Sequence, residues 1–380
     1  MLGLELVVVL AVALIACSVL ARRLRIAPAV LLLVTGILLG LLPALHEVRL
    51  PPEVVLLLFL PALLFWESLT TSLQGIRRDL RGIILTSTVL VVLTAAAVAA
   101  VAHAFGVPWG VAWVLGAALA PTDATAVAAF ARSMPRRNVT ILKAESLIND
   151  GTALVIYGIA VGVTVGEQEV TALGITGEFL LSYLGGAAAG AVIAAAGLFV
   201  LRRLDDPILK NVALILIPFG SYLLAELVRA SGVLAVVVAG LITTQVGPRV
   251  SSATSRRQSE SFWSLATFIL NGSLFVLVGL EVSTAVRSLP PAEIGIALVM
   301  AVVVWLVILA VGYAFLFGAV ALIRLLDRRP SQRARRMGYR TRIVGGMAGF
   351  RGAVSLAAAL AVPRRCPRAM PSPTGTSSSS

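Results

Sequence analysis

For most of its length the chain alternates between apolar runs of about 20 residues and short polar connections. Twenty apolar residues are the length a helix needs to cross the hydrocarbon core of a bilayer. Bounded by charge, proline or glycine, the runs predict twelve spans, near 3–21, 28–45, 51–69, 82–104, 109–131, 140–165, 178–201, 208–228, 231–247, 262–282, 292–323 and 343–362. The eleventh is long enough to tilt or to extend past the bilayer. A transmembrane β-barrel would instead show short segments of alternating hydrophobicity. The pattern therefore predicts an all-α polytopic membrane protein.

Composition removes the main competing classes. Apolar residues make up 59% of the 380 and charged residues only 13%, with mean hydropathy +0.99. A soluble protein carries about 45–50% apolar and about 25% charged residues, so this chain has too few charges to cover a soluble core. The net charge of +13 has a simple distribution. The odd-numbered connections hold 24 of the 31 basic residues, and the even-numbered ones hold only Arg49, Arg229 and Arg287. Cytoplasmic loops carry such an excess of arginine and lysine. The odd loops are thus expected in the cytoplasm, with the N-terminus outside a multi-pass chain of the cell membrane. The charge then needs no nucleic-acid partner.

Cys17 and Cys366 are the only cysteines, which excludes a disulfide scaffold. His46 and His103 fall in short loops and offer no histidine metal centre. The segment Leu14-Ile15-Ala16-Cys17 has the look of a lipoprotein processing box, but no basic residue precedes Arg22 as a signal peptide requires. An uncleaved first helix is expected. The sequence contains no G-x-x-x-x-G-K-[ST] loop and no nucleophile constellation, so neither an enzyme nor a cofactor is expected.

The charges inside the runs are the candidates for function. An ionisable side chain within a span costs at least about 2.5–3.5 kcal/mol on insertion scales. The clear interior cases are Glu67, Asp123, Glu145, Asp150 and Arg351, whereas Glu5, Glu226, Glu281 and Glu293 lie near span ends where they can reach water. Asp123 follows Pro121 and Thr122 in A-L-A-P-T-D-A-T-A-V. Proline removes a backbone donor and disturbs the helix, so carbonyls beside Asp123 can be left free. Free carbonyls beside a carboxylate make a hard-oxygen site for a small cation; a structural kink with a hydrogen-bonded Asp is the alternative. Span 6 reads K-A-E-S-L-I-N-D-G-T-A-L-V. Ser146 and Asp150 are four apart and share a helix face, and Glu145 and Asn149 share a neighbouring one. Glu145 therefore needs a partner other than the ion. Arg351, in the glycine-rich G-G-M-A-G-F-R-G-A-V-S-L of span 12, can supply it as a buried ion pair or can instead bind a substrate anion. Two interrupted helices, spans 5 and 12, are the pattern of inverted-repeat transporters with a midplane site. Glu67, at the end of span 3, is either an interfacial charge or a member of that site.

The blocks A-P-T-D-A-T-A-V, E-S-L-I-N-D-G-T-A-L-V, F-V-L-V-G-L-E and G-F-R-G-A-V-S-L-A-A-A-L-A-V-P, in this order, resemble the sodium/proton exchanger family in its prokaryotic NhaP-like branch. L-P-A-L-L-F-W-E resembles the family's third span, with Glu67 at the acidic position. The resemblance covers about 1–363. It implies that Asp150 carries the cation and the proton in turn, and that Asp123 and the Thr122 backbone belong to crossed, unwound helices. It also implies that Ser146 and Glu67 help to coordinate sodium. Asn149 stands where other branches have a second Asp, which implies electroneutral exchange of one sodium or lithium ion for one proton. Glu145 and Arg351 match the family's buried ion pair. Homodimers with a moving core domain are implied, serving pH and sodium homeostasis. The motifs leave a potassium/proton or mixed-cation antiporter as the alternative. Thirteen spans are usual in the family. Residues 364–380 have a disordered composition here, so the expected division is a C-terminally incomplete exchanger domain, 1–363, and a disordered or frame-shifted tail, with an inactive fragment as the further alternative.

Overall fold

A computed structural model describes residues 2–24, 26–42, 55–71, 73–122, 136–165 and 172–326. Among them there is no strand. The helices are α1 (Leu2–Leu24), α2 (Pro28–Leu39), α3 (Leu60–Leu69, entered through a π-helical turn Val55–Phe59), α4 (Leu73–Ala104), α5 (Trp109–Leu119), α6 (Arg136–Val165), α7 (Ala172–Arg203), α8 (Pro207–Leu227), α9 (Gly232–Val250), α10 (Ala253–Ser288) and α11 (Pro291–Leu326). Each of the first eleven expected spans falls on one of them. Among the described residues, eight helices are long and apolar enough to cross a membrane, and Pro28–Leu39, Leu57–Leu69 and Trp109–Leu119 are shorter apolar helices. The expected span 343–362, Asp123, Arg351 and the segment 364–380 lie outside the described residues.

The ends differ from the apolar runs for identifiable reasons. The run that opens at 82 belongs to a helix that starts at Leu73, because Ile76 and Ile83 carry the helix onto Ala144 of α6 beyond the apolar window. The helix α10 starts at Ala253, where the Ser252 hydroxyl caps it by accepting from Ser255 N at 3.2 Å. Asp206 and Ser231 cap α8 and α9 in the same way. His103, expected in a loop, sits in the last turn of α4, where its ring stacks on Trp109 at 4.2 Å.

The helices pack in two groups. One contains α1, α2, α3, α7, α8, α9 and α10, and the other contains α4, α5, α6 and α11. In the first group the main core gathers around Phe65 and Trp263, whose rings lie 5.5 Å apart. Lipid tails are as apolar as leucine, so membrane helices associate through close packing at small residues. The pair α2–α10 shows this. A Cβ on Gly36 would fall onto the Val276 carbonyl, and one on Gly279 onto the Leu33 carbonyl. In the second group Gly116 of α5 lies against the Ala95 carbonyl of α4 in the same manner. The groups meet along α6, which touches α3, α7 and α9.

Candidate ion site

The site is built on a helix that stops and a helix that does not. The helix α5 ends at Leu119, and Ala120, Pro121 and Thr122 are not helical. Pro121 has no backbone N–H to continue the ladder, and the Ala120 amide makes a long bond, 3.4 Å, to Ala117 O. Breaking a helix at membrane depth leaves carbonyls that only protein or trapped water can satisfy. The neighbouring α6 supplies the partner. The Ser146 hydroxyl donates to the Thr122 carbonyl at 2.9 Å. The Asn149 amide also reaches the break. The hydrogen-bond network assigns its orientation: the oxygen accepts from Thr122 Oγ1 at 2.9 Å, and the nitrogen donates to Ser87 O of α4 at 3.3 Å and to Glu145 O at 3.2 Å.

Ser146, Asn149 and Asp150 are 3%, 2% and 6% exposed. A carboxylate is thus buried on α6 beside the two residues that hold the broken end of α5. A buried charge is retained only when it is paired or functional. The Ser146 hydroxyl, the Asn149 amide oxygen and the Thr122 carbonyl meet here, with the buried Asp150 carboxyl next along α6; oxygen donors of this kind suit a hard cation.

Over residues 8–375 the sequence matches the family profile described as sodium/hydrogen exchanger, transmembrane. The chain belongs to this family. An uncharacterized sodium/proton exchanger of Mycobacterium tuberculosis is 45% identical over 363 residues, which are 95% of this chain and 67% of that one. The sodium/proton antiporter ApNhaP of Aphanothece halophytica is 28% identical over 320 residues, 83% of this chain and 59% of its own length. Among solved structures, the sodium proton antiporter MjNhaP1 of Methanocaldococcus jannaschii matches with a TM-score of 0.70 at 18% identity, covering 95% of this chain and 86% of that one. That likeness shows that the exchanger shares its helix arrangement.

The exchanger's remaining sequence-marked residues are placed as follows. Thr122, Ser146 and Asn149 come together, with Asp150 next to Asn149 on the same helix. Glu145 is half-buried on α6, and its partner expected from the sequence, Arg351, lies outside the described residues, as does Asp123. Glu67 is half-buried near the end of α3, and its carbonyl accepts from Thr71 Oγ1 at 2.6 Å. The adjoining turns of α3 and α6 are joined by Lys143, which donates to Thr70 Oγ1 at 3.5 Å.

Two contacts of the exchanger site carry no sequence mark. Ser87 contributes only a backbone carbonyl, which any residue has. Thr152 of α6 is fully buried, and its hydroxyl bonds both to Ile148 O at 2.8 Å and to Tyr183 OH of α7 at 3.2 Å. The second bond crosses between the two helix groups, two residues from Asp150. Tyr183 in turn stacks on Phe179 at 5.3 Å. One turn further along, Ile156 and Phe179 line an apolar cavity of about 620 Å³ between α4, α5, α6 and α7, together with Trp109 and Trp113. Among the described residues, no group of three or more His, Cys, Asp and Glu is placed to hold a metal ion.

Proposed function

We propose that the chain is a secondary antiporter that exchanges one sodium or lithium ion for one proton. The observation that carries this reading is the burial of Asp150 beside Ser146 and Asn149, the residues of α6 that hold the broken end of α5 through Thr122. The names of the relatives support the same substrates. Asp150 holds either a proton or a cation. Ser146 Oγ and the Thr122 carbonyl supply neutral oxygens to the cation, with Asp123 and Glu67 as further ligands. Asn149 contributes no charge, so one carboxylate cycles and the exchange is electroneutral. Glu145 pairs with Arg351 and stays outside the ion cycle. The group containing α4–α6 then moves against the other group, presenting Asp150 alternately to the two sides, in a homodimer whose arginine-rich loops face the cytoplasm.

The test is cation-dependent collapse of a preset pH gradient in proteoliposomes, with sodium, lithium and potassium compared. Wild-type protein should respond to sodium and lithium, and Asp150→Asn should insert normally but lose exchange. More than about a tenth of wild-type flux in Asp150→Asn would remove Asp150 from the role. Net current under a sodium gradient would contradict electroneutrality.

A further inference from the structure

A second cavity, of about 450 Å³, lies in the other helix group, at the C-terminal ends of α3 and α9 and the N-terminal ends of α8 and α10. Its volume falls within the range of about 300–1,000 Å³ usual for small-molecule sites. Its wall is apolar where Trp66, Leu69, Leu201 and Leu214 line it, and polar elsewhere. Lys210 and Arg256 line it with Asn211, Ser255 and Thr243, and the Glu260 carboxylate lines it too.

The two cations have unused capacity. Lys210 has three donors and gives one to Val250 O, at 3.2 Å. Arg256 has five donors in a fixed fork and uses Nη1, to Pro248 O at 3.3 Å and Ser251 O at 3.0 Å. Both therefore finish the end of α9 and keep further N–H groups for the cavity. Neither is paired with a carboxylate among the described residues. A second observation points to a missing partner. Thr152, Thr164, Thr244, Thr267 and Thr284 each return the hydroxyl to the carbonyl four residues back. Thr243, on the cavity wall and 4% exposed, does not, and its Oγ1 has no hydrogen-bond partner. A buried hydroxyl without a partner costs about 1–3 kcal/mol.

We infer that this cavity binds a phosphate group, held by Lys210 and Arg256 against Thr243 Oγ1 and the second N–H of the Asn211 amide, whose first N–H goes to Gln258 Oε1 and whose oxygen accepts from the Ser255 hydroxyl. The fork of Arg256 matches two phosphate oxygens, and Lys210 adds a point charge. The favoured source is the headgroup of an acidic phospholipid. The cytoplasmic leaflet holds these lipids, and basic pockets between helices on that side accept them. This choice of source rests on the cytoplasmic placement of the arginine-rich loops proposed above; the site itself does not.

Binding is measured on the purified full chain in a zwitterionic detergent, by native mass spectrometry and thermal shift. The probes are short-chain phosphatidylglycerol, the matched phosphatidylcholine and inorganic phosphate alone. Phosphatidylglycerol should bind and stabilise, phosphatidylcholine should not, and each of Lys210→Gln and Arg256→Gln should weaken binding at least about fivefold. Glu260→Gln, at an exposed position, should tighten it, a gain that misfolding does not produce. Stabilisation by inorganic phosphate equal to that by phosphatidylglycerol, and lost in the same variants, would support the site and assign it to a soluble anion. Unchanged phosphatidylglycerol binding in both cation variants, or no tightening in Glu260→Gln, would overturn the proposal. Ion exchange is not the readout, so the outcome is independent of the antiport reading.

Discussion

The bond between Asn149 and Thr122 can be tested by itself, because it joins two side chains. Asn149→Leu keeps a similar volume and removes the amide, and Thr122→Val keeps the shape and removes the hydroxyl. Of the three Asn149 bonds, those to Ser87 O and Glu145 O are the longer, at 3.3 and 3.2 Å, and both carbonyls lie inside continuous helices. Their ladder partners remain when the amide is gone. The 2.9 Å bond with Thr122 Oγ1 dominates, because its loss strands a hydroxyl at the broken helix end. Each single variant should therefore lose about 1–3 kcal/mol, the cost of leaving one buried polar group unsatisfied. The double variant strands neither partner and should lose less than the sum, with a coupling energy of about 0.5–1.5 kcal/mol. The measurement is reversible unfolding in mixed micelles followed by tryptophan fluorescence. Trp113 packs on the α4–α5–α6 cluster of Val91, Ala95, Ala120 and Ala153 and reports on that region. Additivity within about 0.3–0.5 kcal/mol would refute the bond.

Three further outcomes are expected. Ser146→Ala removes the donor to the Thr122 carbonyl and should cost about 1–3 kcal/mol in the same unfolding assay, together with weaker sodium activation of exchange; unchanged sodium dependence would confine Ser146 to a structural role. Gly279→Val places a side chain on the Leu33 carbonyl of α2 and should destabilise the protein by about 1–3 kcal/mol or more, read as loss of monodisperse protein on size-exclusion chromatography after heating. Tyr183→Phe removes the 3.2 Å bond between the helix groups and should change stability by about 0.5–1.5 kcal/mol while altering exchange rate more than sodium affinity; a change in affinity alone would place Tyr183 among the ion's ligands.

Span positions were legible because a bilayer imposes one length on every crossing, and apolar runs of that length survive any tertiary arrangement. Helix ends were less so. Nothing apolar marks Leu73 or Ala253 as starts, since those turns are held by Ile76 on Ala144 and by the Ser252 cap. The interruption after Leu119 was legible through Pro121, whose chemistry acts locally. The residues holding it are another matter. Ser146 and Asn149 lie 24 and 27 residues from Thr122. Helical spacing groups Ser146 with Asp150 and Asn149 with Glu145, yet it is Ser146 and Asn149 that meet at the break. Which face of α6 turns toward α5 is decided by packing such as Ala153 on Val91, Ala95 and Ala120, and small apolar residues of this kind do not announce their partner. Tyr183 was invisible for the same reason, since one tyrosine in a span has many possible roles.

The pre-broken end of α5 also bears on speed. In the proposed cycle a cation arriving at Asp150 finds the Thr122 carbonyl already out of its helix and already oriented by Ser146. A carbonyl oxygen has two lone pairs, so it can keep the serine and still face the ion. No backbone bond has to open and reclose with each ion, and what accompanies coordination is the departure of the Asp150 proton and of water from the cation. A site arranged in advance in this way lowers the barrier to loading and unloading, which leaves the movement of the helix groups to set the turnover rate.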